Sequence, residues 1–215
     1  MLLIGAGAAT DLDPFDPARV QIVQGFYPDH RALKARGYDM ATEASGDFDG
    51  AVVFLPRARA EARARIAEAA ARLAPGASLW IDGQKTDGID AVMKEMRALA
   101  PVDEVQSRAH GKIFRVTLPQ PGWLPEGWAA QDHLAAPGMV TRPGVFSADG
   151  PDPASQALAA ALPEKLPTRI VDLGAGWGWL SAQILAHPGV ELLHLVEADA
   201  AALDCARRNV TDPRA

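Results

Sequence analysis

The stretch IVDLGAGWGWL, residues 170–180, decides the fold class of this chain. A run of strand-forming residues leads into three glycines spaced two apart, Gly174, Gly176 and Gly178, and a helix can begin at Trp179. Glycine lets the backbone turn tightly and lets a ligand approach the peptide groups. The N-terminus of the following helix adds unpaired N–H groups and the positive end of the helix dipole. The stretch therefore predicts a strand–turn–helix cradle for a nucleotide or a nucleotide-like cofactor.

The acids around this turn indicate which kind of cofactor fits. The dinucleotide fingerprint G-x-G-x-x-G would need its third glycine at the position of Trp179, so the spacing argues against NAD. Asp172, two residues before the first glycine, suits a cationic group such as the ammonium of S-adenosylmethionine better than a pyrophosphate. Glu197 ends the next predicted strand, where an acid can accept hydrogen bonds from both ribose hydroxyls. The structural alternative is a glycine-rich turn beside a solvated acid.

The rest of the chain alternates short apolar runs with helical segments, which predicts an α/β fold with a mostly parallel, covered sheet. Strands are predicted at 1–4, 20–23, 51–55, 78–81, 112–118, 169–173 and 190–196, and helices at 57–73, 89–99, 152–162, 179–186 and 200–209. Residues 119–141 are rich in proline and glycine, which predicts a linker. The expected domains are therefore 1–118 and 142–215. Their similar strand–glycine openings, at 2–7 and 170–176, favour a duplicated domain.

Composition excludes several classes of protein. The chain has 215 residues, 48% of them hydrophobic, one cysteine and a net charge of −6, which fits an ordinary globular protein and not a disordered, collagen-like or coiled-coil chain. A negative chain is not a general nucleic-acid coat. There is no apolar run long enough for a membrane span, no basic leader and no zinc-ligand spacing. We therefore expect a cytoplasmic protein with neither a membrane span nor a metal site.

Two motifs carry a family resemblance. Residues 171–178 together with Glu197 resemble the first two motifs of class I S-adenosylmethionine-dependent methyltransferases. The upstream segment PGVFSADG, residues 143–150, is similar to the loop before the cofactor motif in bacterial small-subunit ribosomal RNA guanine-N2 methyltransferases of the RsmC/RlmG type. Softer matches at 54–57, 82–89 and 110–112 extend the resemblance over essentially the whole chain. It implies tandem Rossmann-like methyltransferase domains, the first degenerate and without cofactor, the second catalytic.

The resemblance assigns roles to particular residues. Phe146, Ser147 and Asp149 would close over the cofactor, Asp172 would serve its methionine end and Glu197 its ribose, around the turn of Gly174, Gly176 and Gly178. The corresponding turn of the first half, after Gly5, lacks both a preceding acid and a third glycine. We therefore predict S-adenosylmethionine as the cofactor of the second half and no cofactor in the first.

The sequence departs from the family pattern in one respect. An Asn-Pro-Pro-Phe-type catalytic motif, which holds the methylated amino group in this family, does not occur here. We therefore expect a C-terminally truncated, incomplete second domain, no catalytic residue in this chain and no methyl transfer by the chain alone. The implied parent activity is methylation of guanine N2 in small-subunit ribosomal RNA, with that RNA or the small ribosomal subunit as partner.

Two alternatives stay open. The missing motif favours a non-catalytic scaffold that binds RNA or the ribosome and keeps a remnant cofactor site. A nucleotide-binding oxidoreductase is disfavoured by Trp179 and Asp172. Five arginines between positions 57 and 72 could contact RNA phosphates, but Glu61, four residues before Arg65, favours a solvated helix face.

Overall fold

A seven-stranded sheet organises the first part of the chain in the computed structural model, which describes residues 1–215. Its strands in chain order are β1 (Leu2–Ile4), β2 (Gln21–Val23), β3 (Asp39–Ala41), β4 (Phe48–Phe54), β5 (Leu73–Gln84), β6 (Val102–Arg108) and β7 (Gly111–Thr117). Across the sheet the order is β3-β2-β1-β4-β5-β7-β6. Strands β1 to β5 pair in parallel, and β7 is antiparallel to both its neighbours. This confirms the predicted α/β, Rossmann-like class.

Both faces of this sheet are covered. The helices of this part are α1 (Tyr27–Ala35), α2 (Arg59–Ala70) and α3 (Ile89–Leu99). Side chains alternate along the strands, so Leu2 and Ile4 lie in one buried cluster and Leu3 lies in another on the opposite face. Burial on both faces explains why β1 and the middle of β4 are almost continuously apolar in sequence.

Strand β5 differs from its predicted limits. Pro75 and Gly76, which follow the helix predicted at 57–73, lie within β5, and the pairing of β5 with β4 shifts register between Phe48 and Gly50. Proline is tolerated at such an irregularity because the missing N–H is not needed for a regular ladder bond. Helix α2 accordingly ends at Ala70, before these residues.

The proline-rich segment contains ordered structure. The chain divides into two compact units, Met1–Ala130 and Gln131–Ala215. In the first unit Trp128 is buried, and the guanidinium of Arg63 lies 5.3 Å from its ring centroid. In the second unit β8 (His133–Ala136) and β9 (Met139–Thr141) form an antiparallel hairpin. Residues 119–130 of the predicted linker thus belong to the first unit and residues 131–141 to the second.

The second unit contains a two-stranded parallel sheet. After the hairpin come α4 (Pro153–Ala160), β10 (Arg169–Leu173), α5 (Trp179–Leu185), β11 (Leu192–Val196) and α6 (Ala200–Asn209). One face of the sheet, which carries Leu193, packs on buried Ile184 and Leu185 of α5. The other face leaves Val171, Leu173 and Val196 exposed. None of the helices in either unit is both long enough and apolar enough to span a bilayer.

Candidate cofactor site

The glycine turn after β10 has the backbone that its sequence predicts. Gly174, Gly176 and Gly178 have φ angles of +78°, +57° and +87°. Side-chain-bearing residues rarely adopt this left-handed region. The N–H groups of Gly174 and Ala175 donate to the carbonyl of Val196 at 2.8 and 3.1 Å, which joins the turn to the end of β11.

The first two glycines face open space. A Cβ atom built on Gly174 or Gly176 would meet no atom within 4 Å, whereas one on Gly178 would lie 2.7 Å from Cγ2 of Val210. Gly178 is therefore a packing position against the end of α6. The surface beside Gly174 and Gly176 is the part of the turn that a ligand could approach.

Asp172 is buried inside the strand–helix junction. Its Oδ2 atom accepts a hydrogen bond of 2.6 Å from the hydroxyl of Ser181, which is itself fully buried in the first turn of α5. No buried side-chain oxygen lacks a hydrogen-bond partner, so Oδ1 of Asp172 reaches solvent. Asp172 thus fixes α5 to β10 through one oxygen and can offer the other to a ligand.

Glu197 closes the turn from the end of β11. Its Oε2 atom accepts a 2.8 Å hydrogen bond from the N–H of Gly176, and Oε1 accepts from Ala198 and Asp199 at 2.7 and 2.9 Å. A carboxylate has about four lone-pair positions. Three are used here, which leaves room for one further donor such as a ribose hydroxyl. The sequence predicted the position of Glu197 but not its bond to Gly176.

The loop at 142–150 lies next to the glycine turn. Its buried residue, Val145, packs in one cluster with Trp177 of that turn. Phe146 is 71% exposed. Ser147 adopts φ +54°, and its hydroxyl donates to the carbonyl of Gly150 at 2.7 Å. Asp149 is exposed and has no partner. The structure therefore places the loop beside the turn, with Phe146 and Asp149 free to contact a ligand.

Comparison with known protein families identifies this arrangement. The model for the methyltransferase small domain N-terminal region matches residues 17–126, more than half of the chain, and the model for the methyltransferase small domain matches residues 137–215. The chain belongs to the methyltransferase small-domain family. The family predicted from residues 143–150 and 171–178 is thereby confirmed, and with it the methyltransferase class of enzyme.

Individual relatives agree with this assignment. The chain is 27% identical over 177 residues to the ribosomal RNA small subunit methyltransferase C of Salmonella choleraesuis (strain SC-B67), covering 82% of this chain and 50% of the relative. It is similar to the structure of the T. thermophilus 16S rRNA N2 methyltransferase RsmC in complex with AdoMet and guanosine, with a TM-score of 0.78 and 25% identity. That match covers 97% of this chain and 61% of the other. The chain thus spans about half the length of the curated relatives it matches.

The residues of this methyltransferase small domain fit S-adenosylmethionine. The open surface at Gly174 and Gly176 leaves room for the cofactor. The accessible oxygen of Asp172 suits its ammonium group, and the remaining acceptor position of Glu197 suits its ribose. No cluster of three or more potential metal-ligating side chains is present in the structure.

Sequence reasoning missed Asn209, which ties three parts of the second unit together. Its Nδ2 group donates to the carbonyls of Val140 and Trp177, both at 2.8 Å, and its Oδ1 accepts from the N–H of Val140 at 2.7 Å. Helix α6 is thereby joined to β9 and to the glycine turn. The only sign of the role of Asn209 in the sequence is an amide side chain at the last residue of α6.

An ion-pair network also holds the start of the 142–150 loop. Arg142 bridges Asp132 and Asp204, each at 3.1 Å, and Arg208 contacts Asp132 at 2.7 Å. The hydrogen bond from Arg208, assisted by the charge of Arg142, lowers the pKa of Asp132. Burial raises the pKa of the neighbouring Cys205 thiol. The sequence signal for this network is limited to the i,i+4 spacing of Asp204 and Arg208.

The corresponding turn of the first unit is filled by a side chain. Gly5 directly follows β1 and has φ +81°, and a Cβ atom there would overlap the guanidinium of Arg65. Arg65 donates to the carbonyl of Phe54, at the end of β4, at 3.0 Å and pairs with Glu61 at 2.6 Å. Ligands of open α/β sheets bind where the strand order reverses, which here is between β1 and β4. Arg65 occupies that position.

Several other polar groups of this first turn also have partners within the chain. The N–H of Gly7 donates to the Thr10 hydroxyl at 3.0 Å, and that of Ala8 donates to Asp29 at 2.9 Å. Arg36 donates to the carbonyls of Ala8 and Thr10 at 3.3 Å. The two glycine turns thus differ in kind: the one in the second unit is open, and the one in the first is occupied by the protein itself.

Proposed function

We propose that this chain binds S-adenosylmethionine through its second unit and belongs to an enzyme that methylates guanine N2 in small-subunit ribosomal RNA. The observation that carries the proposal is the open glycine turn of Gly174 and Gly176, closed by Glu197 from the neighbouring strand. Membership of the methyltransferase small-domain family supports the reaction type. The names of the relatives, which specify 16S ribosomal RNA and AdoMet, support the substrate and the cofactor.

In this proposal each residue has a limited role. S-adenosylmethionine supplies an activated methyl group on a sulfonium. Asp172 would hold the ammonium through Oδ1, and Glu197 would accept a hydrogen bond from the ribose. The loop around Phe146, Ser147 and Asp149 would cover the bound molecule. Rate acceleration in such a reaction comes mostly from holding the amino group and the methyl carbon in line. The target base must be unpaired or flipped out of its helix to reach the methyl group.

We further propose that these 215 residues bind the cofactor but do not transfer the methyl group. The Asn-Pro-Pro-Phe-type motif that would hold the target amino group is absent from the sequence. The exposed apolar face of β10 and β11 is consistent with a methyltransferase sheet of which only part is present. A cytoplasmic location belongs to the same proposal.

The first unit is proposed to be a degenerate methyltransferase-like domain that binds no cofactor. Arg65 over Gly5 and the internal hydrogen bonds of Gly7 and Ala8 support this role. A ligand would have to displace a guanidinium that is paired with Glu61 and bonded to the main chain of Phe54. Opening this turn would therefore leave a partly buried carboxylate without its partner, which is unfavourable.

Calorimetric titration with S-adenosylhomocysteine tests the cofactor site. We expect the chain to bind one equivalent, and we expect Glu197→Ala to weaken binding by about tenfold or more, because a charged hydrogen bond contributes about 1.5–3 kcal/mol. Glu191→Ala is the matched control, since Glu191 is exposed at the opposite end of β11. Absence of binding by a chain whose near-ultraviolet circular dichroism shows native packing would overturn the proposal.

The same preparation separates the alternatives. RNA binding without S-adenosylhomocysteine binding would favour the non-catalytic scaffold. A saturable enhancement of NADH fluorescence would favour a nucleotide-binding oxidoreductase. Neither result is expected, because Trp179 replaces the third glycine of a dinucleotide site and the turn stays open at Gly174.

A further inference from the structure

The outward face of helix α1 combines aromatic and basic side chains. Tyr27, Arg31 and Lys34 stand at i, i+4 and i+7, which places them on one face of the helix. Leu33, the one buried residue of this helix, packs into the core of the first unit. Tyr27 is 60% exposed, and Phe26, the residue that precedes the helix, is 45% exposed. We call Phe26, Tyr27, Arg31 and Lys34 the α1 face.

The charges of the α1 face are not neutralised within the chain. Arg31 and Lys34 have no ion-pair or hydrogen-bond partner. The one carboxylate of the helix, Asp29, accepts a hydrogen bond from the N–H of Ala8. The α1 face is therefore a local concentration of positive charge on a protein whose net charge is −6.

The arginines of α2 differ in this respect. Arg59 and Arg63 both pair with Glu95, and Arg65 pairs with Glu61. These arginines stabilise contacts within the first unit and offer little free charge to a partner. The i,i+4 pair of Glu61 and Arg65 is present, but both side chains are partly buried, so the predicted solvated face is not found at this pair. Among the helices of the first unit, only α1 presents exposed rings and unpaired cations together.

We propose that the α1 face binds a single-stranded segment of RNA. Unpaired bases stack on exposed aromatic rings, and Lys or Arg side chains contact the neighbouring phosphates, which is how single-stranded nucleic acid is commonly bound. Tyr27 and Phe26 supply the rings, and Arg31 and Lys34 supply the cations. The proposal rests on the proposed function, since it assigns a part of the ribosomal RNA substrate to the first unit.

The test is fluorescence anisotropy with a labelled, unstructured oligoribonucleotide of about 12 nucleotides and the full chain, a length within the range of known single-strand sites. We expect Phe26→Ala/Tyr27→Ala to weaken binding by about tenfold or more, and Tyr27→Phe to bind as the wild type does, because the ring is kept. The slope of log K against log salt is negative, and Arg31→Ala/Lys34→Ala should make it shallower by about 1.4, or ~0.7 for each phosphate that the protein no longer neutralises.

Lys94→Ala/Arg97→Ala is the matched control. These residues are exposed on α3 with the same three-residue spacing, so the double variant makes the same change in net charge. It should leave the affinity and the salt slope near those of the wild type. Equal effects of the two charge-removing variants, or full RNA affinity after removal of both rings, would overturn the proposal.

A parallel titration with S-adenosylhomocysteine keeps the two proposals apart. The α1-face variants lie in the first unit, so cofactor binding by the second unit should not change in any of them. A chain that binds S-adenosylhomocysteine but no RNA would overturn the α1-face proposal and leave the cofactor site standing. A chain that binds RNA through the α1 face but no S-adenosylhomocysteine would overturn the cofactor site and leave the α1-face proposal standing.

Discussion

Asn209 uses both N–H groups and the oxygen of its amide to join the end of α6 to β9 and to the glycine turn. We predict that Asn209→Ala lowers the stability of the second unit by about 1–3 kcal/mol, because the main-chain groups of Val140 and the carbonyl of Trp177 lose their partner. We also predict weaker S-adenosylhomocysteine binding, since Trp177 lies between Gly176 and Gly178.

Thermal unfolding and calorimetry measure the two effects. Arg207→Ala is the control, because Arg207 is exposed on the same helix and has no partner. If Asn209→Ala lost stability yet bound S-adenosylhomocysteine with wild-type affinity, Asn209 would support the fold without positioning the turn.

Gly174 and Gly178 have nearly the same φ but different surroundings. Alanine at either position costs about 1–2 kcal/mol in backbone strain. At Gly178 the new methyl group also meets Val210 at 2.7 Å, and overpacking of this kind costs a further ~1–3 kcal/mol. We predict that Gly178→Ala lowers the melting temperature more than Gly174→Ala does, and that Gly174→Ala weakens S-adenosylhomocysteine binding more at equal folded fraction.

The two variants serve as controls for each other in one set of melting curves and titrations. Equal losses of stability would mean that α6 moves to accommodate the methyl group. Equal losses of affinity would mean that the open surface at Gly174 is not where the cofactor lies.

The site residues illustrate how far sequence reasoning reaches. Asp172 and Glu197 could be chosen because an acid at the end of a strand next to a glycine turn has few other uses. Their hydrogen-bond partners, Ser181 and Gly176, could not be predicted, because these bonds depend on how α5 and β11 pack. Asn209 was missed for the same reason, since its partners lie 69 and 32 residues away along the chain.

Elements with a strong local signal were predicted with their observed limits. Helix α3 follows Gly88, helix α6 follows Asp199, whose side chain caps it, and β10 ends at the glycine turn. Helix α1, strand β3 and strand β6 were missed. Helix α1 buries one residue and has no side-chain cap, so it lacks a clear apolar period. Strand β6 is almost wholly exposed and has no alternation; its pairing with β7 makes it a strand.

The residues after α6 form a strap across the end of α5. Arg214 donates to the carbonyl of Leu185, the last residue of α5, at 2.6 Å and to that of Val190 at 3.0 Å. Asp212 orients the guanidinium through hydrogen bonds of 2.7 and 2.9 Å. A cation at this position also interacts favourably with the helix dipole. The hydrogen bond from Arg214 lowers the pKa of Asp212 to about 2.

This strap should give the second unit a defined pH dependence. The pKa of Asp212 in the folded state lies below its ordinary value of 3.8. The contribution of the Asp212–Arg214 pair to the free energy of unfolding is therefore fully present above pH ~4 and is lost as the pH falls towards about 2. We predict that Asp212→Asn lowers the melting temperature at neutral pH and that its difference from the wild type shrinks over that acid range. Glu164→Gln, at an exposed acid without a partner, should show no such pattern. A difference that stayed constant down to pH 2 would assign the effect to something other than the charge of Asp212.

The two units of the molecule differ in how completely their sheets are covered. In the first unit both faces are buried by clusters that include Leu2 on one side and Leu3 on the other. In the second unit Leu193 is fully buried, while Leu173, on the opposite face, is 75% exposed beside Val171 and Val196. A parallel sheet normally has both faces covered. An apolar patch of this kind is a binding surface or an aggregation hazard.

This difference predicts opposite outcomes for one substitution at two positions. Leu173→Thr should leave the melting temperature nearly unchanged, because the side chain is already in water, and should reduce the fluorescence of a bound apolar dye such as ANS. Leu193→Thr removes buried apolar groups and introduces a hydroxyl into the core, so it should cost about 2–5 kcal/mol. Melting curves and dye titrations of the two variants measure both effects. A loss of stability in Leu173→Thr as large as that in Leu193→Thr would mean that the exposed face is covered in solution, and sedimentation of the wild type at several concentrations would then reveal whether a second copy covers it.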